Sequence, residues 1–334
     1  MLTDSLRLPP YVRAHAKACE WIKLQYNLQR APNTVAAYAQ GLEDFLSFCS
    51  RSAVDADNAG RNTIANYVRD MADRPPAGGR SAIGLSNASR HLRLTAVRLF
   101  FDYLVEEGVR STNPVARGIA GSGRSILRRQ RRLPWIPNEE QWRALLAAAR
   151  TEPLRNRLML ALAYDCALRR EELCSIDTAD IDPAHGTITI RAETTKTGSG
   201  RCVPYSVVTA DLLGLYLAQR RELSRVRGPL FLSYSTRNRA TPITIWTWSK
   251  VVRGLAIRTG ITNLSTHSFR HLCLTDLARS GWETHEIAAF AGHRSVQTTL
   301  IYIHLSARDL SAKFTKGMAS VHAQRTALLR DTLR

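Results

Sequence analysis

The stretch AGHRSVQTTLIYIHLS, from Ala291 to Ser306, closes a helical pattern with Gly292 and His293 and places Tyr302 nine residues after that histidine. A tyrosine in this setting is either part of a packed helix end or an oxygen nucleophile aimed at a phosphodiester. Upstream, THSFRHLCLTDLARSG sets His267 and Arg270 three residues apart, on one face of an expected helix that Thr266 would cap and Gly281 would end. A guanidinium fork binds two phosphate oxygens at once, and an imidazole can exchange a proton with a third. DCALRREELCSID puts Arg169 three residues before Glu172. By itself that pair reads as an ordinary helix salt bridge, or as a buried arginine held by its carboxylate. Lys196 lies in a TKTG turn between two strand patterns. The chain has 41 Arg and 6 Lys. Lysine can release a proton at usable pH and arginine cannot, so Lys196 suits a general acid that protonates a leaving oxygen, although an exposed turn lysine is the commoner occurrence.

These residues need a scaffold. At ~150 residues per domain, 334 residues make about two domains. A hydrophobic content of 44% supports a packed core. The net charge of +19 is unevenly spread: +3 over residues 1–115 (14 basic, 11 acidic), +6 over 116–135 (6 basic, none acidic) and +10 over 136–334 (27 basic, 17 acidic). Two basic blocks with a cationic stretch between them suit a clamp around a polyanion. Cysteines 19, 49, 166, 174, 202 and 273 form no C-x-x-C and have no zinc-ligand spacing, so they read as small buried hydrophobes in a reducing compartment. Without an apolar run of ~18 residues or a leader pattern, the expected setting is the cytoplasm, with the nucleoid, and no membrane. No cluster of acids suits paired Mg²⁺ ions, so neither a metal nor a cofactor is expected.

APNTVAAYAQGLEDFLSFC reads as a helix with Asn33 as cap and Val35, Tyr38, Leu42, Phe45, Leu46 and Cys49 on one face. A shorter helix is expected from Arg61 to Met71, a break at PPAGG (75–79), and a long helix from Ser86 to Glu107 with Leu92, Val97, Phe100, Phe101 and Leu104 inward. Residues 1–115 are thus expected to form a small all-helical bundle and 116–137 a basic linker, in which Arg124, Arg128, Arg129, Arg131 and Arg132 would follow phosphates. A second domain, 138–310, opens with Asn138 capping a helix whose first turn carries Glu139 and Glu140. It continues with an apolar helix at 154–167, a hairpin around Ile188, Ile190 and RCVPY, and further helices. Residues 311–334 form a tail.

Taken in chain order, Arg169, Lys196, His267, Arg270, His293 and Tyr302 resemble the catalytic set of the tyrosine recombinase (phage integrase, Xer-like) family. ALRREEL is similar to that family's first-arginine box, TKTG to its hairpin lysine, HSFRH to its H-x-x-R-H helix, and AGHRSVQTTLIYIHLS to its G-H…Y segment. The helical N-terminal region, through TVAAYAQGLEDFLSF and RLFFDYLVEEGVRSTNPV, resembles the family's core-binding domain, so the resemblance spans about residues 10 to 310.

The resemblance implies a mainly α fold with a small antiparallel sheet: a SAM-like bundle and a catalytic domain closing around DNA. It implies a recombinase that cuts and rejoins strands through a 3′-phosphotyrosine, without metal or ATP, in the service of a mobile element. Tyr302 would attack, Arg169, Arg270 and His293 would stabilise phosphate charge, His267 would help move the tyrosine proton, and Lys196 would protonate the leaving 5′-oxygen. Glu172 and His271 would support them. The implied partners are double-stranded DNA with an inverted-repeat core site, three further copies in a tetramer on two paired sites, and a possible accessory protein. The family often has glycine where this chain has Ala167, and a small residue at Glu171, which is expected to face outward. The tail would dock on a neighbouring protomer through Leu328, Leu329 and Leu333. The rivals are an enzyme resembling type IB topoisomerases, relaxing DNA without a site, and a non-catalytic DNA-binding protein on the same fold.

Overall fold

The computed structural model describes residues 8–75, 84–115, 127, 133–195, 198–306, 323 and 325. Arg124, Arg128, Arg129, Arg131, Arg132, Lys196 and the tail leucines Leu328, Leu329 and Leu333 lie outside the described residues. Contacts divide the chain into two units, Met1–Arg131 and Arg132–Arg334.

The first unit is built from α1 (Pro10–Ala14), α2 (Ala16–Asn27), α3 (Pro32–Arg51), α4 (Arg61–Asp73) and α5 (Asn87–Glu106). Helix α3 starts two residues earlier than its sequence suggested. Ala31 is the N-cap and Pro32 occupies the first helical position, where its fixed φ and missing N–H fit, so Asn33 falls inside the first turn and does not cap. Val35, Leu42, Phe45, Leu46 and Cys49 are buried, while Tyr38 packs at the edge, stacked on Trp21 at 5.7 Å. Ser86 caps α5 through the Ser89 N–H, and Gly108, at φ +70°, follows its end. Leu92 is not a core residue: it is 48% exposed, and Leu94 is buried in its stead. Leu94, Val97, Phe101 and Leu104 follow 3–4 spacing, and Leu92 falls off that stripe. The α3–α5 contact is close because Gly41 has no side chain; a Cβ there would lie 3.0 Å from that of Ala96.

The second unit holds α6 (Glu139–Ala149), α7 (Leu154–Asp165), α8 (Arg170–Cys174), a sheet, α9 (Val207–Leu223), α10 (Ile245–Thr259), α11 (Ser268–Arg279), α12 (Thr284–Ala291) and α13 (Leu300–Ser306). Asn138 caps α6 in a reciprocal box with Gln141. The sheet is antiparallel, β1 (Ile181–Asp182), β2 (Thr187–Ile190) and β3 (Arg201–Pro204), in the order β1-β2-β3, with Ile188 opposite Ile181 and Val203. Two strands were legible in the sequence; the edge strand β1 is two residues long, too short to show alternation. Ile188, Ile190 and Val203 point into a core with Met159, Tyr216, Phe231, Trp248 and Phe269. The apolar helix α7 stops at Asp165, two residues short of the expected 167, because Ala167 turns the chain at φ +47°. Thr266 does not cap α11: His267 holds the N-cap position with no side-chain bond, and the Ser265 N–H donates to the Ser268 hydroxyl instead.

Cys49, Cys166 and Cys273 are buried and Cys19 and Cys174 half-buried, but Cys202 is exposed, since its strand neighbours Arg201 and Val203 take the inward positions. No helix among the described residues is long and apolar enough to cross a membrane. The protein is thus mainly helical with one small antiparallel sheet.

Candidate active site

Four local features of the second unit meet at one place: the turn after α7, the start of α11, the turn after α12, and α13. Arg169 is the N-cap of α8, so its backbone N–H is free to meet the Glu172 carboxylate at 3.0 Å while its Nη1 reaches the same group at 2.7 Å. Its Nη2 donates to the carbonyl of Gly292 at 3.1 Å. Arg270, only 4% exposed, donates to the carbonyls of Ala167 and Ala291 and to Nε2 of His293, the last at 3.0 Å. Both arginines are thus tied to turn carbonyls and keep N–H groups over for a ligand.

Those turns are why the arginines find acceptors. Gly292 ends α12 in the left-handed conformation at φ +63°, which leaves the last carbonyls of the helix pointing out. Ala167 does the same after α7 without being glycine. The neighbouring Glu171 does not intrude on Arg169. It pairs with Arg170 at 2.8 Å and keeps 47% of its side chain exposed.

Tyr302 is 3% exposed and packs with Ala167, Leu274, Ala291 and Leu305. Its hydroxyl lies 3.0 Å from Nδ1 of His271, and its ring stacks on His293 with 6.1 Å between centroids and 6° between planes. The packed helix end and the poised hydroxyl are therefore the same feature. His267 sits on the exposed rim, its ring 6.3 Å from that of His271. The histidine bonded to the tyrosine is His271.

Electrostatics follow from burial and crowding. Burial, and then the charge of Arg169, lowers Arg270 to about 10. Burial pushes His293 down to about 4, helped by Arg270 and Arg169. Burial, then His267 and Arg270, takes His271 to about 4. Both rings are neutral at pH 7. Burial raises the Tyr302 hydroxyl against the pull of Arg270 and Arg169, so it keeps its proton. Burial would raise Glu172 as well, but the forks of Arg201 and Arg169 hold it at about 2.

Two members of the site were not singled out in the sequence. Thr299, fully buried, meets Nδ1 of His293 at 2.9 Å. Arg201 meets both oxygens of Glu172, at 3.1 and 2.7 Å. A threonine in a run of polar residues carries no signal. An arginine opening a strand looks like a solvent-facing charge, although alternation with the buried Val203 points it inward. Arg169, Arg201 and Arg270 against the single carboxylate of Glu172 leave a surplus of two positive charges among these side chains. Beside them lies a protonated hydroxyl with a neutral imidazole acceptor. Such a cluster can bind a tetrahedral anion and present it with an oxygen nucleophile.

Residues 137–308 match the model of the phage integrase family, and residues 21–108 match the phage integrase N-terminal SAM-like domain. A tyrosine recombinase XerC of Vibrio parahaemolyticus is 29% identical over 231 residues, which is 67% of this chain and 70% of that protein. A XerC of Mycobacterium tuberculosis is 28% identical over 228 residues, 66% and 73% of the two chains. Among solved structures, XerH site-specific recombinase bound to a palindromic difH substrate aligns with a TM-score of 0.64 at 21% identity, over 84% of this chain and 79% of that one. The Tn1549 transposon integrase in complex with a circular-intermediate DNA aligns with a TM-score of 0.67 at 15% identity, over 85% and 94%.

Proposed function

This chain belongs to the phage integrase family of tyrosine recombinases, and from that premise we propose that the cluster around Tyr302 breaks and rejoins DNA through a 3′-phosphotyrosine. The protein is a site-specific tyrosine recombinase acting on DNA. The observation that carries the mechanism is the Tyr302 hydroxyl, bonded to a neutral histidine beside a cluster with surplus positive charge.

The scissile phosphate enters between Arg169 and Arg270, whose spare N–H groups bind the two non-bridging oxygens and gain strength as charge builds in the transition state. Tyr302 forms a bond to phosphorus as its proton passes to Nδ1 of His271. His267, next outward, helps hand that proton on. The bond from phosphorus to the 5′-oxygen breaks, and Lys196 supplies the proton the leaving oxygen needs. His293 holds Arg270 in place by the bond it accepts from Nη2. Through that bond His293 helps stabilise the charge on the phosphate by keeping the Arg270 guanidinium aimed at it. One phosphoester is exchanged for another, so a 5′-hydroxyl can reverse the step without ATP.

The arginines Arg124, Arg128, Arg129, Arg131 and Arg132 bind phosphates of duplex DNA. Four copies act on two paired sites, each an inverted-repeat core, and an accessory protein is a possible further partner. Structures with lambda integrase as a dimer on a core site and as a tetramer on a Holliday junction support this assembly. The biological setting we propose is a mobile element, in the cytoplasm with the nucleoid.

The test is to express wild type and Tyr302→Phe in cells carrying the gene's flanking DNA, denature rapidly, capture protein joined to DNA, and sequence the attached 3′ ends. Discrete ends with wild type alone are expected. Relaxation of any plasmid by monomer, without a preferred end, would overturn the site-specific reading in favour of a topoisomerase.

A further inference from the structure

Arg201 opens β3, and 8% of its side chain is exposed. Nη1 and Nη2 grip the two oxygens of Glu172 at 3.1 and 2.7 Å, and Nε donates to the carbonyl of Phe290 at 2.9 Å. The guanidinium lies under Gly292, where a Cβ would stand 3.0 Å from Nη1. All three nitrogens of the fork are therefore engaged with the protein, behind the turn that carries His293. On the far side of Glu172, whose side chain is 1% exposed, Arg169 takes the same carboxylate with Nη1 and its backbone N–H.

A buried carboxylate with a single arginine partner would draw that arginine into a bidentate, neutral pair. Here the bidentate position is already filled. We propose that Arg201 is a positioning residue: it supplies the counter-charge for Glu172, so that Glu172 orients Arg169 without neutralising it, and Arg169 keeps its charge for the DNA phosphate. The bond to Phe290 adds a second effect, holding the last turn of α12 that leads into Gly292 and His293. This assignment rests on the recombinase reading above.

The test uses single-turnover cleavage of a nicked oligonucleotide carrying the mapped site, with either a normal phosphodiester or a methylphosphonate at the scissile position. The methylphosphonate lacks the negative non-bridging oxygen that Arg169 would meet. Arg201→Met is expected to slow cleavage of the phosphodiester ~100-fold, the scale for losing one transition-state donor, with DNA affinity little changed. The defect should shrink to ~10-fold or less on the methylphosphonate. Adding Glu172→Gln to Arg201→Met should recover ~10-fold on the phosphodiester, because no carboxylate is left to capture Arg169. Arg201→Lys keeps the charge without the fork and should show a smaller defect with the same substrate dependence; it also decides the matter if Arg201→Met does not fold. Equal defects on both linkages, with no recovery in the double variant, would overturn the proposal and leave Arg201 as a fold contact. Wild type that cleaves neither linkage would overturn the recombinase reading and this assignment with it.

Discussion

Arg270 donates from Nη2 to Nε2 of His293 across 3.0 Å, and a guanidinium has no lone pair to offer in return. Nε2 of His293 is therefore the acceptor, Nδ1 carries the proton, and Nδ1–H donates to the Thr299 hydroxyl at 2.9 Å. The tautomer of His293 is set by two neighbours, one at each end of the ring.

Thr299→Val tests that arrangement. It removes the acceptor for Nδ1–H inside a fully buried site. A buried donor left alone costs about 1–3 kcal/mol, so thermal stability should fall by an amount in that range. Single-turnover cleavage should fall about tenfold or more as the ring loses its orientation. Unchanged cleavage would show that stacking on Tyr302 suffices to orient His293.

Acid stability follows from the same rings. His271 and His293 sit at about 4 in the folded protein against 6.5 for free histidine. Between those values the unfolded chain takes up protons that the folded chain refuses, so their contribution is complete above pH 6.5 and is lost as pH falls towards 4. Glu172, held at about 2 against 4.5, extends the loss below pH 4.5. Melting temperature measured across this range should decline for wild type. The decline between pH 6.5 and 4 should be shallower in His271→Gln/His293→Gln, and parallel curves would contradict the assigned protonation states.

Ala167 stands in the left-handed region at φ +47° and is fully buried, with its carbonyl bonded to Arg270. That conformation costs a non-glycine residue about 1–2 kcal/mol. Ala167→Gly relieves the strain but frees the unfolded chain, so the two effects offset and stability should move by under ~1 kcal/mol. Ala167→Val should cost more than ~2 kcal/mol and lower cleavage further than DNA affinity, because the carbonyl that aims Arg270 moves with the backbone. Chemical denaturation and a cleavage assay on the three variants decide it.

Lys196→Ala should lose cleavage of a normal phosphodiester by about 10²–10⁴-fold, the usual contribution of a general acid. A 5′-bridging phosphorothiolate, whose thiolate leaves without a proton, should restore it. Absence of rescue would move Lys196 from proton donor to phosphate contact.

Much of this protein was legible along the chain because its signals are local. Alternation around Ile188 and Ile190 marked a strand, and the Asn138 cap marked α6. His267, Arg270 and His271 share the first turns of one helix, and Arg169 pairs with Glu172 three residues on, so spacing alone could group them. The misplaced caps at Asn33 and Thr266 failed for a local reason too: a proline at the first helical position and a serine pair filled the roles that a lone polar residue seemed to claim.

The sequence by itself determined the helical content, the order of the reactive residues and their surplus of positive charge. Only the tertiary structure decided which of two histidines meets Tyr302, and it chose His271, 31 residues away, over His267 on the rim. It also decided that Glu172 is shared between Arg169 and a strand arginine 29 residues further on. The physical reason is that side-chain periodicity fixes which face of an element a residue occupies, whereas a contact between elements depends on how two faces pack, and the chain between them carries no record of that choice.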